Sequence, residues 1–219
     1  MATYQIGLIS QKGGVGKSTI ARLLLLEYTL ANWKTKIADM DVKQGTSVEW
    51  NLRRKANELE PDLSVESFAR IDKALKETEG FDLLIFDGQA KSDSQTRDIA
   101  NASDMLILPT SPSIDDLAPT VRLANDLKKN GIAPNRICFA LSRVGKYENE
   151  NEEAEEYLAL ACAKGGYHLL DGKIPEMLSI RRALDSGKAP SELPFPTVKD
   201  KVFELTQAII NHFEKIINE

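Results

Sequence analysis

The chain has few cysteines, no long apolar run and no excess of positive charge, and each shortage narrows what it can be. Its two cysteines, Cys138 and Cys162, lie in apolar stretches. They are too few for a disulfide framework or a metal site of their own, which points to a reducing, intracellular setting. No stretch approaches the ~18 consecutive apolar residues that read as a membrane span. The first residues are neither basic nor followed by a long apolar block, so no secretory leader is expected. A net charge of −5 over 219 residues offers nucleic acid and anionic membranes no global attraction; any such binding must come from a local basic patch. Internal repeats and low-complexity linkers are missing too. What remains, 42% hydrophobic and 28% charged residues, is the balance of an ordinary soluble chain, and one domain over residues 1–219 is expected.

What is present is alternation. Short apolar runs at 4–10, 36–39, 63–68, 82–87, 105–109, 136–142 and 167–170 read as strands. Helical patterns at 17–31, 47–57, 71–77, 94–102, 114–130, 152–164, 177–186 and 198–218 separate or follow them. Repeated strand–helix order predicts an α/β fold, a mostly parallel central sheet with helices on both faces in three layers. Ligands of such sheets bind at the carboxyl ends of strands. The acidic cluster at 148–156 reads as a loop running into a solvated helix. Pro190, Pro194 and Pro196 mark a bend before the last helix. That helix carries Val198, Val202, Leu205, Ile209, Phe213 and Ile216 on one stripe, which suits packing onto the sheet.

The most specific stretch is QKGGVGKST, Gln11 to Thr19, between the first strand and the first helix. Strand, glycine-rich turn and helix form the setting of a phosphate-binding loop. Gly13, Gly14 and Gly16 let the backbone curl so that several N–H groups, with those around Val15 and Thr19, meet one anion. The helix adds the positive end of its dipole. Lys17 supplies a mobile charge for the β- and γ-phosphates, and Ser18 a hydroxyl for Mg²⁺. The usual spacing, G-x-x-x-x-G-K-[ST], would put its first glycine at Gln11. Lys12 follows instead, a second lysine with no evident partner in its own subunit, where repulsion from Lys17 makes it unattractive unless phosphate charge arrives.

Carboxylates end two of the strands. Asp39 and Asp41 are two apart and share a face on an extended chain. At a strand end beside the loop, Asp41 can orient or polarise an attacking water, and Asp39 can hold a water of the Mg²⁺ shell. The run FDLLIFDGQ delivers Asp87 from a buried strand, again toward Mg²⁺ through water. Gly88 frees the next segment, and 89–93 is placed to sense the γ-phosphate. Thr110 and Ser111 could approach another subunit, or Ser113 could simply cap the helix at Ile114.

The form K-G-G-x-G-K-[ST] resembles the deviant Walker A loop of the ParA/MinD family of ATPases, and the likeness extends from the first strand to the last helix. D-M-D-V-K-Q-G resembles that family's D-x-D-P-Q-G, apparently one residue longer at Val42-Lys43-Gln44. The likeness is greatest to short ParA proteins of the ParF kind, and with the loop beginning at Gln11 no preceding DNA-binding domain is expected. The resemblance implies ATP and Mg²⁺ as cofactors and an ATP-dependent homodimer in which Lys12 reaches the partner's phosphates. It implies non-specific DNA binding, an adaptor or centromere-binding protein that stimulates hydrolysis, a cargo such as a plasmid or carboxysomes, and a cytoplasmic, nucleoid-associated location. It places backbone groups near Ile174–Met177, with Pro175 among them, against the adenine, and leaves Arg143 either near the base or an ordinary surface arginine. Arg181, Arg182 and Lys188 are the local basic cluster, two of them able to share a helix face. A membrane-binding tail of the MinD kind is not expected, because the last helix mixes acids with its lysines. Two other functions are open, a P-loop metabolic enzyme (an ATP-dependent ligase or small-molecule kinase) and a nucleotide-binding regulator without turnover.

Overall fold

A computed structural model describes residues 4–90 and 93–218. Seven strands appear: β1 (Tyr4–Leu8), β2 (Thr35–Asp39), β3 (Ser64–Ser67), β4 (Leu83–Asp87), β5 (Met105–Thr110), β6 (Ile137–Val144) and β7 (His168–Pro175). Eight α-helices accompany them: α1 (Lys17–Leu30), α2 (Thr46–Ala56), α3 (Ile71–Lys76), α4 (Asp93–Ala102), α5 (Ile114–Lys129), α6 (Glu148–Gly165), α7 (Leu178–Asp185) and α8 (Pro196–Asn218). The strands form one sheet in the order β3-β2-β4-β1-β5-β6-β7, and every pairing is parallel. The expected mostly parallel sheet is wholly parallel.

Period-two alternation sorts the strand residues between two cores. Ile6, Leu8, Ile37, Leu83, Ile85, Met105 and Ile107 face one side, under α1, α2, α7 and α8. Ala38, Leu84, Phe86, Leu106 and Leu108 face the other, under α3, α4, α5 and α6. Both faces are covered, which is why β4 and β5 read as nearly unbroken apolar runs. Gly7 lets α4 approach closely, since a Cβ there would lie 2.6 Å from Ile99 and from Ser103.

Two boundaries differ from the sequence reading by more than two residues. β7 runs on to Pro175, past Gly172, which has a φ of +79° and where a Cβ would lie 2.3 Å from the Leu205 backbone, leaving no space for a side chain. Helix α6 begins at Glu148, so the acids expected in a loop fill its first turn, where they suit the positive end of its dipole. The last helix packs as expected, burying Val198, Val202, Leu205, Ile209 and Phe213.

Helix α2 is bolted to the segment after α7. Arg54, 1% exposed, bonds Gly187 O at 3.3 Å and Glu192 at 2.8 Å. Trp50 Nε1 donates to Lys188 O at 3.2 Å.

His168 of β7 and His212 of α8 stack with ring centroids 3.9 Å apart and planes at 2°. Burial, and then His212 and Lys215, hold the His168 imidazolium below its ordinary range, against Asp171. The folded chain therefore binds fewer protons than the unfolded one, and this part of its stability, present above pH ~6.5, is lost as pH falls. Denaturation midpoints at pH 7.5 and 5.5 should differ less for His212→Gln than for wild type; equal differences refute the assignment.

Candidate functional site

The phosphate loop is held from behind by the end of β6. Gly14 and Gly16 take φ values of +78° and +98°, which a side chain disfavours. A Cβ on Gly16 would meet Ser142 Oγ at 2.4 Å. Ser142 Oγ donates to Val15 O at 2.6 Å, and Arg143 Nη1 to Gly14 O at 2.9 Å. Arg143 Nη2 pairs with Glu176 at 2.6 Å. Two loop carbonyls are thereby engaged by donors that a phosphate does not need.

Lys17 opens α1 and is 7% exposed. Its Nζ donates to Ser10 Oγ at 2.9 Å and Lys12 O at 3.2 Å. Burial lowers its pKa, against the pull of Asp87 and Asp41. The ammonium is held by neutral oxygens, with its charge poorly compensated.

Asp39 and Asp87 end adjacent strands in register. Alternation turns both to the α1 side. Ser47 N and Val48 N donate to Asp39 Oδ2 at 2.8 and 3.2 Å, and Asp41 N to Oδ1 at 3.1 Å. Asp39 thus caps the start of α2 and fixes the loop. Burial, and then the nearby Asp87, raise its pKa in spite of the three N–H groups. Ser47 Oγ donates to Asp87 Oδ2 at 2.7 Å, while Arg22 Nε donates to Ser47 Oγ at 3.2 Å. Asp87 Oδ1 is buried with no hydrogen-bond partner among the described residues. Leaving such a group unsatisfied costs about 1–3 kcal/mol or more. Ser18 Oγ lies 3.2 Å from Thr46 Oγ1. The hydroxyl of Ser18 and the free oxygen of Asp87 are the hard oxygen donors that Mg²⁺ and its waters take. The residues present fit that ion.

Asp41 anchors the turn 41–45, accepting Gln44 N on Oδ1 at 3.1 Å and Gly45 N on its carbonyl at 2.7 Å. This turn absorbs the extra residue at Val42-Lys43-Gln44. Gly13, Gly14, Gly16, Lys17, Ser18, Thr19, Asp39, Asp41, Asp87 and Pro175 all line one cavity of about 810 Å³. Val15 is buried just behind it.

Several sequence expectations change. Lys12 does have a partner in its own chain, Asp116 of α5 at 2.6 Å, which Ser111 also bonds. The carboxylate of Asp116 titrates below its ordinary range: both contacts lower it and outweigh burial, its largest single influence, which raises it. Thr110 is fully buried, and Ser113 Oγ caps α5 by accepting Asp115 N at 3.3 Å. Helix α7 stops at Asp185 and Gly187 turns the chain at φ +80°, so Lys188 shares no helix face with Arg181. Arg181 lines the cavity beside Glu176 instead. Of the proposed sensor 89–93, residues 91 and 92 lie outside the described residues. Sequence reasoning missed Ser10, Arg22, Thr46, Ser47 and Asp116. Thr46 and Ser47, directly after the D-x-D segment and its Gln-Gly, carried the one usable signal.

The family model of the CobQ/CobB/MinD/ParA nucleotide-binding domain matches residues 6–190. Maintenance of carboxysome distribution protein A from Gloeobacter kilaueensis is 33% identical over 114 residues, which cover 52% of this chain and 51% of that protein. The chain thus matches about half the length of this relative. Among solved structures, MinD of Pyrococcus horikoshii complexed with Mg-ADP superposes with a TM-score of 0.72 at 21% identity, covering 94% of this chain and 95% of that one. A McdA variant of Cyanothece in complex with ATP gives 0.69 at 16% identity, covering 95% and 97%. At these identities the structures show a shared fold. No described helix is long and apolar enough to cross a membrane.

Proposed function

Because the chain belongs to the CobQ/CobB/MinD/ParA nucleotide-binding domain family, we propose that it is a Mg²⁺-dependent ATPase that positions a cargo by switching between monomer and dimer. The unpartnered, buried oxygen of Asp87 beside Ser18 and Lys17 carries the reading. Lys17 binds the β- and γ-phosphates. Ser18 and Asp87 hold Mg²⁺, with Asp39 beside them keeping little capacity beyond its backbone bonds. When bound there, the ion would supply neutralisation of the phosphate charge. Asp41 orients the attacking water, and the backbone at Pro175 borders the base.

The dimer places Lys12 on the partner's phosphates. Its bond to Asp116 is no obstacle: the pair is 40% and 20% exposed, and such pairs contribute about 0–1 kcal/mol. A triphosphate offers Lys12 more. The ATP-bound dimer binds DNA without sequence preference, and an adaptor protein stimulates hydrolysis. The Gloeobacter relative makes carboxysomes a cargo to test, alongside plasmid DNA.

The experiment combines phosphate release, with and without random duplex DNA, and light scattering with a slowly hydrolysed ATP analogue. Wild type should dimerise with the analogue and release phosphate slowly. Lys12→Ala should keep ATP affinity within roughly threefold and lose both the dimer and turnover, the loss falling within the ~10³–10⁵ that a charge supplied across an interface is worth. A normal Lys12→Ala dimer refutes the trans lysine. Turnover that depends on a small-molecule acceptor marks a ligase or kinase instead.

A further inference from the structure

Strands β2 and β4 separate in an unusual way at their carboxyl ends. Their ladder continues one bond past the last paired residues, Met40 N donating to Asp87 O at 3.0 Å. In a parallel ladder, the next rung would run from Gln89 N to Met40 O. A side chain occupies that rung. Gln95, in the first turn of α4, donates from Nε2 to Met40 O at 2.8 Å and accepts Gln89 N on Oε1 at 2.9 Å. One carboxamide replaces one peptide-to-peptide bond and holds the two strand ends an amide's width apart.

Both ends carry the proposed chemistry. Met40 stands between Asp39 and Asp41, and Gln89 follows Asp87 and Gly88. Asp41, Gly88 and Gln89 line the phosphate cavity, whereas Gln95 does not. We propose that Gln95 is a positioning residue for hydrolysis, a spacer that sets the gap between the segment leading to Asp41 and the segment leaving Asp87. This rests on the ATPase reading above. The task is chemically narrow. It needs one donor and one acceptor on the same carbon, at glutamine's reach. Asparagine is a methylene short. Ionised glutamate accepts Gln89 N but turns a second oxygen on Met40 O. Protonated glutamate restores both bonds, because a carboxylic acid carries a donor and an acceptor in the same plane.

That last point supplies a test that a merely structural residue would not pass. Gln95→Ala should bind Mg-ATP within about threefold of wild type and lose on the order of 10-fold in kcat, since small misplacements of reacting groups are expensive. Gln95→Glu should be as slow as Gln95→Ala at pH 8 and recover relative to wild type as pH falls toward ~5, where a carboxyl takes up its proton. Hydrogen exchange should show faster exchange of the Gln89 amide in Gln95→Ala. Wild-type phosphate release, measured first, tests the ATPase reading alone, and its absence removes that reading and this proposal together. Given wild-type turnover, an unchanged kcat in Gln95→Ala overturns the spacer and leaves the ATPase standing. So does a Gln95→Glu profile parallel to that of Gln95→Ala at every pH.

Discussion

Lys17→Met should abolish measurable ATP binding without weakening the fold. On the proposed reading the ammonium would give the β- and γ-phosphates charge-assisted bonds worth about 1.5–3 kcal/mol each. Two such bonds correspond to a loss of roughly 10²-fold or more in affinity. Within the fold the same group is a burden. It is buried, its pKa is depressed by that burial, and its bonds go to Ser10 Oγ and Lys12 O, both neutral. Methionine keeps the apolar stem and removes the desolvated charge. Its denaturation midpoint should therefore equal or exceed that of wild type. Calorimetry with Mg-ATP and a thermal melt together decide: unchanged affinity removes Lys17 from the site, and a large drop in the melt makes it structural.

Asp41→Asn should uncouple binding from turnover. The turn at 41–45 needs an acceptor at Asp41 Oδ1 for Gln44 N. Asparagine supplies that acceptor and keeps the turn, but it offers the attacking water neither a negative charge nor a proton acceptor of useful strength. The expected loss in kcat is about 10²-fold or more, within the range for a missing general base. ATP affinity should stay within a few-fold, and with turnover gone the ATP-bound dimer should accumulate. Single-turnover phosphate release and light scattering read the two halves separately. Normal turnover rules Asp41 out as the group acting on water. Alanine is the poorer probe, because it would also release Gln44 and confound loop with chemistry.

Much of this arrangement was legible in the chain. The strands were legible because both faces are covered, so β1, β4 and β5 are apolar at every position that matters. The cradle was legible because glycines, Lys17 and Ser18 are consecutive. Asp39 and Asp87 were legible as strand ends, although their pairing needed the register. What was not legible is the set of hydroxyls and single side chains that hold the site. Ser142 meets Val15 across 127 positions of sequence, and Ser47 meets Asp87 across 40. A lone serine has no periodicity to reveal it. The partner of Lys12 was missed for the same reason, since Asp116 reads as one more acid in the first turn of a helix. β7 was cut short because Asp171, Gly172 and Lys173 interrupt an otherwise apolar run, and only a close packing against Leu205 explains the glycine.

The position of β1 in the sheet also governs how the chain must be made. Tyr4 pairs with Leu83 and Ile6 with Met105. The strand that carries the phosphate loop is therefore flanked on both sides by segments synthesised much later. At roughly 5–20 residues per second, its first neighbour emerges several seconds after it, and its second a little later still. Through that interval β1, and the buried leucines Leu23, Leu24, Leu25 and Leu26 of α1, have no complete sheet to lie against. The contacts that finally cover them are long-range, which slows folding. The segment that carries the loop thus stays uncovered until β4 and β5 have been made, and it is where association between incomplete chains should begin.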